Sequence, residues 1–326
     1  MLTGEEQVMN QNYDIICIGM ALVDSIIRGF DPEPVSASGY RAESGSLNVG
    51  GEAVNEAMAA AKLGMKTGIL CSLGEDEAGE LVLGALHRCG VDTSLVVRSG
   101  ERPTPVSTMF VRGDGTRKSV TNRAHSLNFH PEQYTEQFAD ARALILGSLF
   151  RAPFDDPEII HAVLTAAKDA GQITVADTKL PNFRFLNLED LRDSLPLVDY
   201  ITPNEDEARY YSGKDTPEEM ADAFLERGVG NVIIKLGGKG CFFKNLETSF
   251  RLPACDIQAV DATGAGDNFV AGFTAEILRG STPYDALRFA NACGAICTTA
   301  VGAGTALKNR DQVLAFLDPA SAERVQ

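Results

Sequence analysis

Cationic side chains are scarce in this 326-residue sequence: 29 Lys and Arg stand against 45 Asp and Glu, a formal net charge of −16. So acidic a surface repels polyanions, and no local basic cluster offsets it, which argues against nucleic acid or an anionic membrane as partner. Histidine is rarer still. His87, His125, His130 and His161 have neither H-E-x-x-H nor any other metal-ligand spacing. The seven cysteines (17, 71, 89, 241, 255, 293 and 297) are odd in number, contain no C-x-x-C pair and mostly sit among apolar neighbours. They read as buried free thiols of a reducing compartment. No apolar run approaches the ~20 residues of a membrane span. The polar, acidic segment Met1–Asn12 has no basic start or apolar core of a secretory signal. The expectation is a cytoplasmic protein. Neither G-x-G-x-x-G nor G-x-x-x-x-G-K-[ST] occurs, which weakens a nicotinamide dehydrogenase and a P-loop ATPase alike.

What is present is a strand–helix alternation. Tyr13–Gly19, Thr67–Cys71, Ala143–Leu146, Ile173–Asp177, Tyr200–Thr202 and Asn231–Leu236 read as short, nearly all-apolar strands. Helices are expected over Ala53–Leu63, Glu77–Cys89, Pro157–Ala170 and Pro217–Arg227, the first two stopped by Gly64 and Gly90. Strands apolar on both faces and separated by helices argue for a parallel sheet covered on both sides. Two stretches break the rhythm. Residues 28–48 have little helical period, and 104–121 reads as two short strands around Gly113-Asp114-Gly115, either a flap over the edge of the sheet or an ordinary surface hairpin. No repeat or linker marks a second independent domain.

The strongest chemical signal is Asp261-Ala262-Thr263-Gly264-Ala265-Gly266-Asp267, running into a helix with apolar Phe269, Val270, Phe273 and Ile277 and a stop at Gly280. The first amides of a helix have no internal partner and point along the positive end of its dipole, so small residues there let an anion approach the backbone. Asp267 in the same turn can take a proton from an attacking hydroxyl while the amides hold charge on a transferring phosphoryl group. An Asp-capped helix after a glycine turn would read the same way.

This run resembles the second signature of the PfkB, or ribokinase-like, carbohydrate kinases (D-T-x-G-A-G-D). Gly50-Gly51-Glu52-Ala53-Val54-Asn55 resembles the first, G-G-x-x-x-N; Asn204-Glu205-Asp206-Glu207 resembles N-x-x-E; and Lys235 to Gly240 resembles the T/K-x-G-x-x-G segment. The four stand in family order and span nearly the whole chain, from about Tyr13 to Ala315. The resemblance implies a three-layer α/β/α domain over 12–326 with a mostly parallel central sheet, and a small β lid from 28–48 and 104–121. It implies an ATP-dependent kinase acting on a primary hydroxyl of a sugar or sugar-like acceptor. Asp267 is then the general base and the amides of Gly264, Ala265, Gly266 and Asp267 the anion hole. Asn204 and Glu207 organise Mg²⁺ through water, although Asn followed three residues later by Glu is also a capping box. Lys235, Gly237, Gly240 and Asn291 fall to the nucleotide, the glycine segment being equally a simple hairpin turn. Asp261 and Thr263, with the Gly-rich run 301–305, fall to a monovalent cation such as K⁺, or that run merely ends a helix.

The acceptor falls to Asp24, Gly50, Gly51 and Asn55, since a carboxylate and an amide can pair vicinal hydroxyls. Arg117 on the flap is a further candidate for substrate or phosphate. Three departures bear on the acceptor: Leu22 replaces the Asn of ribokinases, Met20 replaces the Glu frequent in fructokinase-like members, and Gly147-Ser148-Leu149 lacks an acidic residue. They speak against ribose and do not establish fructose. Lys179, in Asp177-Thr178-Lys179, hints at a nucleotide contact or a phosphorylated acceptor. A nucleoside or sugar-phosphate kinase of the same fold is the near alternative, and a non-catalytic sugar-binding regulator the distant one. The family's habit of pairing through the flap suggests a homodimer, with Phe110 as an exposed apolar contact.

Overall fold

The computed structural model describes residues 11–29, 41–113, 116–122 and 129–318, and the side chain of Arg117 lies outside that description, as do parts of the two flap stretches. In chain order the first strands are β1 (Tyr13–Ile18), β2 (Leu22–Arg28) and β3 (Ser44–Gly50), followed by α1 (Glu52–Lys62), β4 (Thr67–Leu70), β5 (Ser72–Gly74) and α2 (Glu77–Cys89). Then come β6 (Val97–Ser99), β7 (Val106–Val111), β8 (Arg117–Thr121), α3 (Thr135–Phe138), β9 (Ala141–Leu149), α4 (Pro157–Asp169) and β10 (Ile173–Thr178). The remainder is β11 (Tyr200–Ile201), α5 (Glu205–Ser212), α6 (Pro217–Leu225), β12 (Asn231–Lys235), β13 (Cys241–Lys244), β14 (Ser249–Leu252), α7 (Ala265–Leu278), α8 (Pro283–Cys297) and α9 (Arg310–Leu317).

Eight strands form one sheet in the order β14-β13-β12-β11-β10-β9-β1-β4. From β12 to β4 every neighbour is parallel, and β13 and β14 add an antiparallel edge. Alternate residues of β1 enter opposite cores: Ile15 and Cys17 join one apolar cluster, Ile16 and Ile18 the other. That is why the strand reads as continuously apolar, and it makes the middle layer of a helix–sheet–helix sandwich. The parallel strands therefore end on one edge, where β9, β10 and β12 deliver Ser148, Lys179 and Lys235, the position at which open α/β sheets bind ligands.

A second sheet, β3-β2-β7-β8, stands apart from the first. It differs from the expected boundaries, because β2 begins at Leu22 and β3 runs on to Gly50, so the chain enters it directly after β1 and leaves it directly into α1. Asp24 consequently lies within a strand, opposite Asn48 on β3 and Ser107 on β7. Phe110, expected to be exposed, is half-buried; the exposed large apolar side chains of this sheet are Leu47 and Val120. All seven cysteines are free, five of them buried, in accord with the reading of their neighbourhoods. Among the described residues no helix is long and apolar enough to cross a membrane.

Candidate active site

Gly264, with φ 77°, turns the chain into α7 in a conformation that side chains disfavour, and a Cβ there would stand 2.1 Å from the Cβ of Ala303. Beyond it the amides of Gly264, Gly266 and Asp267 have no protein acceptor among the described residues, whereas the Ala265 amide donates to the Ala262 carbonyl at 3.2 Å. Of the four amides expected at an anion, that of Ala265 thus closes its own turn and the other three are unpartnered. Asp267, in the first turn of α7, is 7% exposed. Because α1 packs on α7, Asn55 reaches it, and Asn55 Nδ2 donates to Asp267 Oδ2 at 2.7 Å. Asn55 Oδ1 is buried and unpartnered. Burial pushes the Asp267 carboxyl up to about 6, against the pull of Lys179 and of the Asn55 bond, with Glu52 and Asp177 adding to the rise. A carboxylate poised near neutrality suits a general base.

On one side of Asp267 a cleft of about 570 Å³ opens, lined by Lys235, Gly237, Gly240 and Asn291 together with Ala265 and Gly266. The four residues expected at a nucleotide are thereby gathered at the amide-lined helix start. Gly237–Lys239 makes a one-turn 3-10 connection between the antiparallel β12 and β13, so the segment is a hairpin and a wall of the cleft at once. Lys235 Nζ is 3.3 Å from where a Cβ on Gly266 would stand, which puts the ammonium beside the free amides. Asp177 holds it there at 2.5 Å and also accepts from Thr202 Oγ1 at 2.8 Å. Asn291 Nδ2 donates to the Pro253 carbonyl at 3.2 Å and so ties α8 to the cleft wall.

Asn204 and Glu207 form the capping box of α5, each side chain accepting from the other's amide at 2.9 Å, and Glu207 Oε2 also accepts from Thr178 Oγ1 at 2.9 Å. Burial raises the Glu207 carboxyl, with Lys235 opposing. Among the described residues no cluster of three His, Cys, Asp or Glu is arranged to hold a metal. Asp261 is occupied inside the protein: Thr263 donates to Oδ1 through both its amide and its hydroxyl, at 3.1 and 2.7 Å, and Gly302 N donates to Oδ2 at 3.0 Å. The pair braces two loops against each other.

On the other side of Asp267 the wall is made of side chains. Gly51 (φ 96°) lies against the backbone of Met20, with no room for a Cβ, and Gly50 lies so close to Asp24 that a Cβ would stand 2.5 Å from its Oδ2. Burial and the neighbouring Glu52 raise the Asp24 carboxyl, while the Ser107 hydroxyl lowers it. Glu52 binds Lys179 Nζ at 3.1 Å and accepts from Ser148 Oγ at 2.6 Å. Ser148 is a non-glycine residue at φ 75°, a conformation worth about 1–3 kcal/mol of strain that is held where it serves this contact. Lys179, expected at the nucleotide or at a phosphorylated acceptor, is thus paired with a carboxylate of the protein itself. Burial disfavours its ammonium, but Glu52 and Asp267 outweigh that and hold it above the ordinary lysine value. Glu52 and Glu56 were not singled out in the sequence, and Ser148 was noted only for not being acidic. The legible signal was their spacing: Glu52, Asn55 and Glu56 share one face of an otherwise Ala-rich helix.

The sequence matches the pfkB family of carbohydrate kinases over residues 13–310. It is 30% identical over 294 residues to a 2-dehydro-3-deoxygluconokinase of Bacillus subtilis, covering 86% of this chain and 88% of that one. It is 29% identical over 277 residues to a ribokinase of Haemophilus influenzae, covering 83% and 88%. The fold superposes on Arabidopsis thaliana ribokinase complexed with ribose and ATP with a TM-score of 0.82 at 27% identity, covering 94% of this chain and 99% of the other. With the four motifs brought to one sheet edge around Asp267, the chain belongs to the pfkB family and is a carbohydrate kinase.

Proposed function

We propose that this protein transfers the γ-phosphoryl group of ATP to a primary hydroxyl of a sugar or sugar-like acceptor, with Asp267 as general base. The observation that carries the reading is the placing of one near-neutral carboxylate between two differently built walls, with three unpartnered amides in its own helical turn. ATP lies in the cleft beside Lys235, its phosphates toward Gly264, Gly266 and Asp267. The acceptor lies against Asp24 and Asn55, whose unpartnered Oδ1 is free to accept from a hydroxyl. Asp267 takes the hydroxyl proton as the oxygen attacks the γ-phosphorus, the bond to the β-bridging oxygen breaks, and ADP leaves. The amides and Lys235 hold the charge on the transferring group, where positioning and electrostatics supply most of the catalysis.

Mg²⁺ fits as an ion carried by the triphosphate and its waters, because no protein cluster of three ligands exists among the described residues and the under-neutralised Glu207 stands near Lys235. Asn204 and Glu207 would hold its water shell; the ion supplies neutralisation of phosphate charge. Asp261 and Thr263 brace the loop that a K⁺ ion would share, and a K⁺ titration of turnover tests for that ion. The β3-β2-β7-β8 sheet acts as a lid that excludes water over Asp24. A second copy of the chain pairing across Leu47 and Val120 is tested by sedimentation.

The experiment is ADP release with Mg-ATP against pentoses, hexoses, keto-deoxy acids, nucleosides and sugar phosphates. One acceptor standing well above the others supports the reading. ATP binding with no acceptor-dependent ADP from any class would overturn it.

A further inference from the structure

The acceptor wall carries three carboxylates, Asp24, Glu52 and Asp267, around a single ammonium, Lys179. That ammonium is already neutralised by Glu52 at 3.1 Å. Lys235, the other ammonium near the site, is bound to Asp177 on the nucleotide side. Each of the two ammonium groups at the site, Lys179 and Lys235, is already paired with a carboxylate.

We propose that Glu52 sets the charge class of the acceptor: by binding Lys179 beside Asp267 it makes the wall anionic and selects an uncharged polyol over acceptors bearing a carboxylate or a phosphate. The inference rests on the kinase reading above and on Asp24 and Asn55 marking the acceptor side. An anionic acceptor would have to displace Glu52 from Lys179 or stand next to Asp24 and Asp267 unpaired, and like charges so juxtaposed oppose binding strongly. The geometry of Glu52 is that of a built contact. Two donors, Ser148 Oγ and Lys179 Nζ, arrive from the ends of adjacent parallel strands, and Ser148 adopts a left-handed backbone where it makes its bond. Glu52 acts on the acceptor through Lys179 and the local field, so it is a positioning residue and not the base.

The test compares kcat/KM for matched neutral and anionic acceptors, a hexose or ketose against the corresponding keto-deoxy acid and sugar phosphate, in the full-length protein and in Glu52→Gln. The neutral acceptor should be favoured by about 100-fold in the unmodified protein. In Glu52→Gln, where Lys179 is released, that ratio should shrink by about tenfold or more, a change that loss of structure alone would not produce. Ser148→Ala, which keeps both charges, should leave the ratio near its original value while lowering rates for all acceptors. An unmodified protein that prefers an anionic acceptor overturns the inference and leaves the kinase reading standing. A ratio unmoved in folded Glu52→Gln does the same, whereas silence toward every acceptor removes the kinase reading and this inference with it.

Discussion

Beside Lys235 the wall of the site is mostly backbone, with the turn at Gly237–Gly240, the helix start at Gly264–Gly266 and a single ammonium pinned by Asp177. Across Asp267, beside Asp24, it is mostly side chains, with Glu52, Asn55, Ser148 and Lys179 arriving from one helix and two strands and Asp24 from the second sheet. A phosphate chain is the same in every donor nucleotide, so a surface of amides and glycines serves it without discrimination. An acceptor must be told from its analogues, and that needs polar side chains that are left unpaired when the wrong molecule binds. The shared element is Asp267, which belongs to the backbone motif by position and to the side-chain network by its bond to Asn55.

Substitutions can break this division, and the largest effect belongs to the residue common to both halves. Asp267→Asn should lower kcat by about 10²–10⁴-fold with nucleotide binding retained, and a loss below about tenfold would remove it as base. In the unmodified protein kcat/KM should fall as pH drops below about 6, since protonation of Asp267 removes the acceptor for the hydroxyl proton. Asp24→Ala, on the side-chain half, should raise the acceptor KM by about 10- to 100-fold and leave nucleotide affinity unchanged in a binding titration. Gly264→Ala should behave in the opposite way. Its Cβ has no room beside Ala303, so the variant should lose about 1–3 kcal/mol of stability and bind nucleotide poorly, read by thermal melting and titration. The smallest effect, on stability alone, concerns Glu56, whose oxygens are both unpartnered and whose carboxyl burial raises well above the ordinary value. A raised carboxyl contributes fully below its unfolded value of 4.5 and loses that contribution as pH rises toward its folded value. Unfolding measured from about pH 5 to pH 8 should therefore show a decline in stability that is shallower in Glu56→Gln.

The same division explains what could be read in advance. Glycines at Gly51 and Gly264 are demanded by backbone shape, and such demands are local, so the turns and the helix starts they serve were legible from spacing. The parallel sheet was legible for a related reason, since strands buried on both faces must be apolar throughout. Asp24 was found, but the strand that carries it was not, because its partners, Ser44–Gly50 and Val106–Val111, are remote in sequence. Lys179 was noticed but its partner was not: Glu52 lies 127 positions away, and only tertiary packing, with α1 against β9, brings the two charges together.

What the sequence by itself determined was the layered α/β sandwich, the family, and the glycine turns beside Lys235 and Asp267, each written in short-range patterns of apolar residues and glycines. The tertiary structure decided the charge balance around Asp267. Asp24, Glu52, Ser148 and Asp267 come from four separate elements and Lys179 from the segment after β10, and whether a buried charge is spent or free depends on which opposite charge lies within a few ångströms of it.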